Sequence, residues 1–389
     1  MQFTCDFDDT RNHDPVDCVH EQLWRDGSGL RSVLPISAPY AIDAEDVIGY
    51  DPLWDAMMKC RRGVMWKGTV ARFCENGAEQ IQRMTDELHA GTYVHSSPSR
   101  FVVTCPKRRE IVAQQFRDRV YHRSIVDNLL LPCLERTWIY DNAACRVGKG
   151  TDFARARFKL FLQESYRRHG MSGGVLCVDV RQYFGSIRHA VVEDDLDRHL
   201  PGWGVEMVMG ALSAHYPGDV GFNPGSPIVQ VVGINVPSRI DHFVKERLFV
   251  RGYSRYMDDL RLVHCDLDYL NGCMVDIGRE FERIGMALHP KKTKVVPMGE
   301  TVRYLGFDYR VTSSGKVLML VAPESVKSCR RKLRRLARLE AAGEKPVGTT
   351  LTAYEGWRAH AEKGSSRKLL GRMDEFYADL MREAEASND

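Results

Sequence analysis

Two short apolar segments separated by a pair of acidic residues constrain the fold of this chain more than any other feature. Residues 253–256 and 260–263 have the composition of β-strands, and Asp258 and Asp259 lie between them. This pattern predicts a β-hairpin with two carboxylates at its turn. A third acid, Asp179, lies at the end of the apolar segment 176–180, whose near-continuous hydrophobicity predicts a strand at the centre of a sheet.

If these strand ends meet, the three acids form one patch, which favours a divalent metal site. Mg²⁺ is typically bound by a few carboxylates together with substrate phosphates. Two such ions can activate a hydroxyl nucleophile and stabilise a leaving pyrophosphate in nucleotidyl transfer. Each Asp taken singly is better explained as a solvated turn residue or a cap, but a doublet within a hairpin and a third acid at a strand end favour metal binding. The carbonyl of Val180 is a further candidate ligand.

Composition sets broad limits on the class of protein. The chain has 389 residues, of which 43% are hydrophobic, so it can bury a substantial core divided into subdomains. Its net charge of +3 does not by itself indicate nucleic-acid binding, which must come from clustered charges. The eleven cysteines lack a paired framework, and neither a secretory signal nor an apolar run of transmembrane length is present. These features predict a cytoplasmic protein with reduced thiols and no membrane partner.

The first 48 residues are polar and only weakly periodic, which predicts an N-terminal extension. Cys5, His13, Cys18 and His20 lie in this segment and raise the question of a zinc site. Their spacing matches no common zinc finger, so the pattern favours a polar extension over a metal site.

Beyond the extension, hydrophobic periodicity predicts a mixture of helices and strands, and therefore an α+β fold. The clearest predicted helices are Ala78–Leu88, Val120–Leu134, Ala154–Tyr166, Val191–Leu200, Val205–Tyr216, Val229–Leu248, Tyr269–Ile284, Pro323–Ala341, Leu351–His360 and Ser366–Ala384. Strands are also predicted at Phe101–Thr104, through Ile111 and Val112, at Val295–Val296 and at Tyr304–Tyr309.

Several motifs occur in the order found in bacterial reverse transcriptases, and the chain resembles that family from about Leu53 to its C-terminus. The matching segments are residues 117–120, 144–151, the strand before Asp179, the loop 221–230, Tyr-Met-Asp-Asp at 256–259, 288–293 and 304–307. The Cys-Arg-Val-Gly-Lys-Gly-Thr run at 145–151 is most similar to the retron, diversity-generating retroelement and defence-associated lineages.

The resemblance implies a right-hand polymerase fold. It predicts fingers over residues 49–172, a palm over 173–310 with fingers helices inserted at about 188–220, and a helical thumb over 311–389. The implied activity is RNA-directed DNA synthesis, with Asp179 and Asp258 holding two Mg²⁺ ions and Asp259 supporting them; Mn²⁺ is a candidate substitute. Lys292 aligns with a lysine that can act as a general acid beside the leaving pyrophosphate, although a basic surface turn would look the same.

The resemblance also implies a set of nucleotide-binding residues. Arg109 and Lys107 lie on the predicted fingers hairpin and would clamp the triphosphate. Phe184 would clash with a ribose 2′-hydroxyl, unless it is simply a core residue beside Tyr183. Gly225 and Gln230 belong to the loop that lines the nucleotide and template.

That loop departs from the usual family pattern at two positions. Asn223 stands in place of a common proline, and Val229 in place of the usual serine before the glutamine. Template handling or nucleotide preference can therefore differ from that of the family.

Basic residues of the predicted fingers and of the first thumb helix are candidates for nucleic-acid contacts. Arg119, Arg146 and Lys149 lie in the predicted fingers, where Arg119 can equally pair with Asp118. The first thumb helix is rich in basic residues, among them Arg330, Arg331, Arg334 and Arg335. A charge run is usually a solvated face, but after a polymerase palm it favours contact with a phosphate backbone.

The biological role predicted from the resemblance is DNA synthesis on a dedicated non-coding RNA in anti-phage defence, with dNTPs and a DNA product as further partners. A retron or diversity-generating retroelement role stays open, as do template-independent or unusually templated DNA synthesis and a non-enzymatic RNA-binding scaffold. An accessory protein or a homo-oligomer is compatible with the sequence.

Overall fold

The computed structural model describes residues 42–104 and 108–386 and shows an α+β protein, as the periodicity predicts. Its helices are α1 (Glu45–Ile48), α2 (Tyr50–Cys60), α3 (Gly68–Glu75), α4 (Gly77–His89), α5 (Phe116–Ile125), α6 (Leu131–Leu134), α7 (Thr151–His169), α8 (Tyr183–Ser186), α9 (His189–Leu196), α10 (Gly202–Ser213), α11 (Pro227–Asn235), α12 (Ser238–His242), α13 (Leu267–Arg283), α14 (Pro323–Ala341), α15 (Thr349–Glu362) and α16 (Arg367–Ala386). Its strands are β1 (Ser99–Val103), β2 (Arg109–Ala113), β3 (Gly174–Asp179), β4 (Gly252–Tyr256), β5 (Asp259–His264), β6 (Lys294–Pro297), β7 (Val302–Tyr304), β8 (Phe307–Val311) and β9 (Val317–Val321).

The largest sheet has four antiparallel strands in the order β4-β5-β3-β6, so β3 lies inside it as predicted. Leu176 and Val178 belong to one hydrophobic cluster, and Val175 and Cys177 belong to another. Helix α13 packs against β3, β5 and β6, while α7 packs against β4 and β5. The strand is apolar on both faces because both faces are covered.

A second, three-stranded sheet of β7, β8 and β9 corrects two predictions. The segment Tyr304–Tyr309 is not one strand, because Leu305 and Gly306 both have positive φ (44° and 87°) and turn the chain back between β7 and β8. Paired positive φ values are typical of tight hairpin turns, and glycine adopts them readily. The sheet also continues to Val321, so the predicted palm–thumb boundary at residue 310 falls within β8.

The helical region before β3 begins earlier than the predicted boundary at residue 48. Val47 and Ile48 in α1 are 0% and 7% exposed and belong to the main hydrophobic core. Helix α5 runs through a π-helical turn at Val126–Leu130 into α6. The candidate zinc residues Cys5, His13, Cys18 and His20 all lie outside the described residues.

The predicted helix Val229–Leu248 is interrupted. Helix α11 ends at Asn235, α12 starts at Ser238, and a π-helical turn follows at Phe243–Arg247. Pro237 lies in the break, since proline lacks an N–H and its ring clashes with the carbonyl four residues earlier in a continuous helix.

The last three helices have their own hydrophobic cluster. Its buried members are Cys329, Leu333, Tyr354 and Met373, from α14, α15 and α16. Tyr354 stacks on Tyr377 with ring centroids 4.6 Å apart. Tyr354 is therefore a packing residue of this helical cluster. No helix in the part of the chain that the structure describes is long and apolar enough to cross a bilayer.

A buried ion pair joins the acidic hairpin to the helices beside it. Arg255 in β4 and Asp241 in α12 are both 0% exposed. The guanidinium donates to both carboxylate oxygens, at 2.7 and 2.6 Å, and to the carbonyl of Ile234 at 2.9 Å. The hydroxyl of Tyr253 donates to the same carboxylate at 2.6 Å. Every charge in this group therefore has a partner, which is the condition for burying ions without a large loss of stability.

We predict that Arg255→Leu lowers the free energy of unfolding by about 3–5 kcal/mol, because it leaves the Asp241 carboxylate buried without a cation. Urea denaturation followed by circular dichroism measures this change. Arg279→Leu is the matched control, because Arg279 pairs with Asp276 while 67% exposed, and we expect it to change stability by about 0.5 kcal/mol or less. Equal, small effects of the two substitutions would contradict a supporting role for the buried pair.

Candidate active site

The acidic hairpin closes with Met257 and Asp258 as its turn. Tyr256 pairs with Asp259 in the β4–β5 register, so these two residues flank the turn. Met257 has φ of +56°, a conformation that non-glycine residues rarely adopt. The guanidinium of Arg255 donates to the Met257 carbonyl at 3.1 Å. The buried ion pair therefore also supports the turn that presents Asp258.

The sheet register brings the three predicted acids together. Asp179 is the last residue of β3 and lies directly opposite Asp259, the first residue of β5. Residues opposite each other in antiparallel strands have Cα atoms roughly 4.5–5.5 Å apart, and like charges at such positions destabilise the pair. Asp258 follows at the turn. The register therefore places Asp179, Asp258 and Asp259 at one end of the sheet, and Asp259 belongs to the strand β5 and not to the turn.

Burial and mutual repulsion raise the pKa values of two of these carboxyls. The pKa of Asp258 is raised by burial and by the negative charge of Asp179, although Lys292 and Arg109 oppose the rise. Burial raises the pKa of Asp259 to about 6; Arg261 opposes this effect, and the Asp258 and Asp179 charges add to it. The site holds more negative charge than it can stabilise, and a cation that enters would relieve it.

Two basic side chains already compensate part of this charge. The ammonium of Lys292 lies 2.9 Å from both carboxylate oxygens of Asp179. Arg261, in β5, forms an ion pair with Asp259 and donates to the carbonyl of Arg303 at 2.9 Å. The sequence places Lys292 beside a leaving group, but in this structure its ammonium binds Asp179.

The segment that carries Lys292 is fixed to the end of β3. Val180 is buried and forms an isolated bridge with Leu288. The His289 N–H donates to the carbonyl of Asp179 at 2.7 Å, and the Thr293 hydroxyl lies 3.3 Å from both the N and the O of Asp179. Backbone contacts, and not only the ion pair, therefore place this segment beside the acids.

Arg109 is the first residue of β2 and is exposed. Its positive charge acts to lower the pKa of Asp258, so Arg109 lies near enough to the acidic patch to act on it electrostatically. Lys107, the other predicted triphosphate ligand, lies outside the described residues.

The loop at Gly225 packs against the same hairpin. Gly225 has φ of +148°, and a Cβ at this position would lie 2.2 Å from the carbonyl oxygen of Val112 in β2. Only glycine fits this close backbone contact. Ser226 caps α11 by accepting a hydrogen bond from the Ile228 N–H at 3.2 Å. Gln230 follows in this helix and accepts a weak bond from the Cys145 thiol at 3.8 Å.

The position of Phe184 is compatible with both roles that the sequence leaves open, a core residue and a residue that contacts the sugar of the nucleotide. Its ring is half-buried and meets Tyr183 edge-on, with centroids 5.2 Å apart. A Cβ on Gly233 would lie 2.7 Å from the Phe184 ring, so the glycine in α11 makes room for it. Packing against α11 fixes the position of the ring while part of its surface stays accessible.

Two of the candidate nucleic-acid residues, Arg146 and Lys149, make hydrogen bonds within the chain. The Arg146 guanidinium donates to Glu135 at 3.0 Å and to the carbonyls of Ile139 and Asn142 at 3.0 and 3.2 Å. The Lys149 ammonium donates to the carbonyl of Tyr140 at 2.6 Å. Both side chains stabilise the segment before α7, and template contacts by them stay predictions.

The alternative pairing of Arg119 with Asp118 is wrong. The Asp118 carboxylate accepts hydrogen bonds from the Tyr93 hydroxyl at 2.8 Å and the Ser96 N–H at 3.0 Å. Its other neighbour is His215, 3.7 Å away. Asp118 is fully buried in α5, whereas Arg119 is half-buried.

The basic residues of α14 form two groups. Arg330 and Arg334 lie over the ring of Phe376, at 4.9 and 5.1 Å from its centroid. Arg331 and Arg335 are exposed, and among the described residues no carboxylate lies within ion-pair distance of either. Arg331 and Arg335 are therefore the better candidates for binding a phosphate backbone.

Three charged residues that support the site were not predicted from the sequence: Asp241, Arg255 and Arg261. Arg255 and Arg261 are charged residues within predicted strands, whereas Asp241 lies in a helical segment with other polar and charged residues. A charged residue inside a predicted buried element usually has a partner, and this signal could have identified Arg255 as a member of a buried pair.

Comparison of the sequence with models of known protein families finds no match, and no curated protein matches it either.

We predict that Asp258→Asn raises the unfolding temperature above pH 7 in metal-free buffer. The amide removes a carboxylate that burial and Asp179 disfavour, and such active-site relief typically amounts to roughly 0.5–2 kcal/mol. Because the folded-state pKa of Asp258 is raised, the wild type loses stability as pH rises through that pKa. The gain from Asp258→Asn should therefore shrink as pH falls towards the ordinary aspartate value.

Thermal unfolding between pH 4 and 8 measures this effect. Asp55→Asn is the control, because Asp55 is exposed on α2 and should leave the unfolding temperature unchanged across the series. A loss of stability in Asp258→Asn at pH 8 would contradict the electrostatic account of the site.

Proposed function

We propose that this chain is a reverse transcriptase, an RNA-directed DNA polymerase that adds dNTPs to a primer 3′-hydroxyl. The observation that carries the proposal is the register of β3 and β5, which sets Asp179 opposite Asp259 with Asp258 at the adjoining turn. An antiparallel sheet backed by α7 and α13 supports this carboxylate patch. In a right-hand polymerase this sheet would be the palm, the β1–β2 hairpin and the neighbouring helices the fingers, and α14–α16 the thumb.

The acidic patch fits Mg²⁺. Its three carboxylates offer the hard oxygen ligands that this ion prefers, and burial together with the neighbouring acids raises the pKa values of Asp258 and Asp259. Asp179 and Asp258 would hold two ions, with Asp259 and the Val180 carbonyl in support and Mn²⁺ as a substitute. Bound there, the ions would activate the primer hydroxyl and stabilise the leaving pyrophosphate.

The protein's own side chains would position the nucleotide around this patch. Arg109, on the fingers hairpin, lies near enough to act on Asp258 electrostatically and would bind the triphosphate. Gly225, held against that hairpin, and Gln230 would line the nucleotide and template. The half-buried ring of Phe184 is fixed against α11 and would exclude a ribose 2′-hydroxyl. Lys292 would release Asp179 and donate a proton to the leaving group.

The unusual residues of the Gly225 loop are the main reason to consider template-independent synthesis. Val229, however, is fully buried in α11, where its side chain packs in the main core. Its replacement of a polar residue therefore concerns helix packing and not template contact. Asn223 is half-buried and is the position at which a changed template contact would arise.

The biological setting that we propose is anti-phage defence on a dedicated non-coding RNA. Retron and diversity-generating retroelement roles share the same chemistry, so the fold does not separate them. Sequencing of the nucleic acid that copurifies with the protein would identify template, product and primer linkage.

We predict that purified protein incorporates dNTPs on an RNA template with a primer in Mg²⁺, and that Asp179→Asn or Asp258→Asn lowers this rate roughly 100- to 1,000-fold or more. Asp55→Asn should retain the wild-type rate. Each dNTP is supplied singly and in mixture, with and without RNA, and products are resolved by gel electrophoresis.

The products separate the alternatives. Incorporation that follows the template sequence supports reverse transcription, and runs of any single dNTP without RNA support terminal transfer. RNA binding without incorporation under all these conditions would identify a scaffold and refute the proposed enzyme.

We predict that Arg331→Gln with Arg335→Gln weakens binding of a primer–template duplex and makes it less dependent on salt. Removal of two phosphate contacts should reduce the slope of log affinity against log salt by about 2. Fluorescence anisotropy across a salt series measures this slope. The matched control is Arg279→Gln with Arg283→Gln, which removes the same charge from α13, where both arginines pair with acids. An equal change in both double variants would show that net charge, and not the α14 surface, determines binding.

A further inference from the structure

Three histidines from distant parts of the sequence converge inside the fingers region. His95 lies between α4 and β1, His122 lies in α5, and His215 follows α10. One ligand nitrogen from each ring lies within 4.8 Å of the other two. In the part of the chain that the structure describes, no other three His, Cys, Asp or Glu side chains have their ligand atoms within this distance of one another. The carboxylate oxygens of the acidic patch are therefore farther apart.

The rings are buried, and their nitrogens lack ordinary partners. His122 and His215 are 0% and 1% exposed. The Nε2 atoms of His95 and His122 and both ring nitrogens of His215 are buried without a hydrogen bond of good geometry to any described residue. Buried polar atoms are nearly always satisfied, so this many unpaired imidazole nitrogens facing one another indicate a missing shared partner.

The surrounding groups orient the rings as ligands. His122 Nδ1 lies 3.2 Å from the Ser226 hydroxyl, which leaves Nε2 towards the cluster. Asp118 Oδ2 lies 3.7 Å from His215 Nε2. Metal-binding histidines typically use their second nitrogen for a hydrogen bond to such a group; the Ser226 contact of His122 matches this pattern, and the Asp118 carboxylate acts on His215 through its charge.

Local charge is compatible with a cation at this place. Asp118 is fully buried beside His215, and it places a negative charge next to the three rings. Arg117, a basic residue whose charge acts on His95, forms an ion pair with Glu87.

We propose that His95, His122 and His215 bind a structural Zn²⁺ ion. Three imidazoles with a neighbouring carboxylate suit zinc or another late first-row metal, whereas Mg²⁺ and Ca²⁺ require oxygen ligands. Zinc–nitrogen bonds of about 2.0–2.1 Å bring the ligand nitrogens of a site close together, and the three ligand nitrogens of this cluster lie within 4.8 Å of one another. The proposal is independent of the polymerase assignment.

The site would fasten together the elements that surround the acidic patch. His95 precedes β1 of the fingers hairpin, and Ser226, which contacts His122, caps α11 and follows Gly225. A metal bound here therefore ties the base of the hairpin to the loop that packs on it. Its removal should loosen this region without touching the three aspartates.

The test is the metal content of the full chain, purified after expression in zinc-supplemented medium and exchanged into metal-free buffer. Mass spectrometry of total metal should find about one zinc per chain in the wild type. His122→Gln and His215→Gln should each lose it, whereas His169→Gln should keep it, because His169 is exposed at the end of α7. Cys5→Ser with Cys18→Ser should also keep it, which separates this site from the N-terminal cysteines. Zinc retained in His122→Gln would overturn the proposal.

A second measurement starts from the wild type, so its deciding outcome does not depend on the folding of a variant. Metal-stripped wild type is titrated with Co²⁺, whose visible absorption should show a site of nitrogen and oxygen ligands without a thiolate charge-transfer band. Asp118→Asn should weaken Co²⁺ binding about 10- to 100-fold, and stripping the wild type should lower its unfolding temperature by about 5 °C or more. Folded wild type that neither contains zinc nor binds Co²⁺ would refute the site and identify the cluster as a packed histidine core.

Discussion

The buried pair of Arg255 and Asp241 is the interaction on which the rest of the candidate site depends. It joins β4 to α12, and through the carbonyl of Met257 it also holds the left-handed turn that presents Asp258. An apolar pair of the same volume could give equal or greater stability. It could not, however, donate to the turn carbonyl while it fixed the strand against the helices. The main contribution of the pair is therefore to fix the positions of β4 and of the turn that presents Asp258, and not to increase the stability of the fold.

The carboxylates of the acidic patch are held in positions that lower the stability of the fold. The β3–β5 register sets Asp179 against Asp259, and burial with repulsion raises the pKa values of Asp258 and Asp259. A sheet selected only for stability would not place carboxylates opposite one another. Such local strain is typical of sites at which a ligand supplies the missing charge. Lys292 and Arg261 supply part of that charge within the chain itself.

The sequence predicted elements whose signals are local and missed those that depend on distant partners. The hairpin around Asp258, the central strand β3 and the helices α4, α7 and α13 follow from periodicity alone. The split of Tyr304–Tyr309 depends on positive φ at Leu305 and Gly306, which apolar periodicity hides. Arg255 carried a local signal, a charge within a predicted buried strand, but its partner Asp241 and the convergence of the three histidines could not be predicted, because only the packed chain brings these separate elements together.

The position of Lys292 limits how it can act in the proposed reaction. An ammonium that lies 2.9 Å from both oxygens of Asp179 cannot at the same time lie beside a leaving pyrophosphate. In the proposed reaction, the Lys292 ammonium neutralises Asp179 until a metal ion replaces it there. The Lys292 side chain is then free to turn towards the nucleotide. Because the His289 N–H and the Thr293 hydroxyl hold its segment to the backbone of Asp179, only the Lys292 side chain has to move. One lysine would thereby stabilise the empty acidic patch and donate a proton in the occupied one.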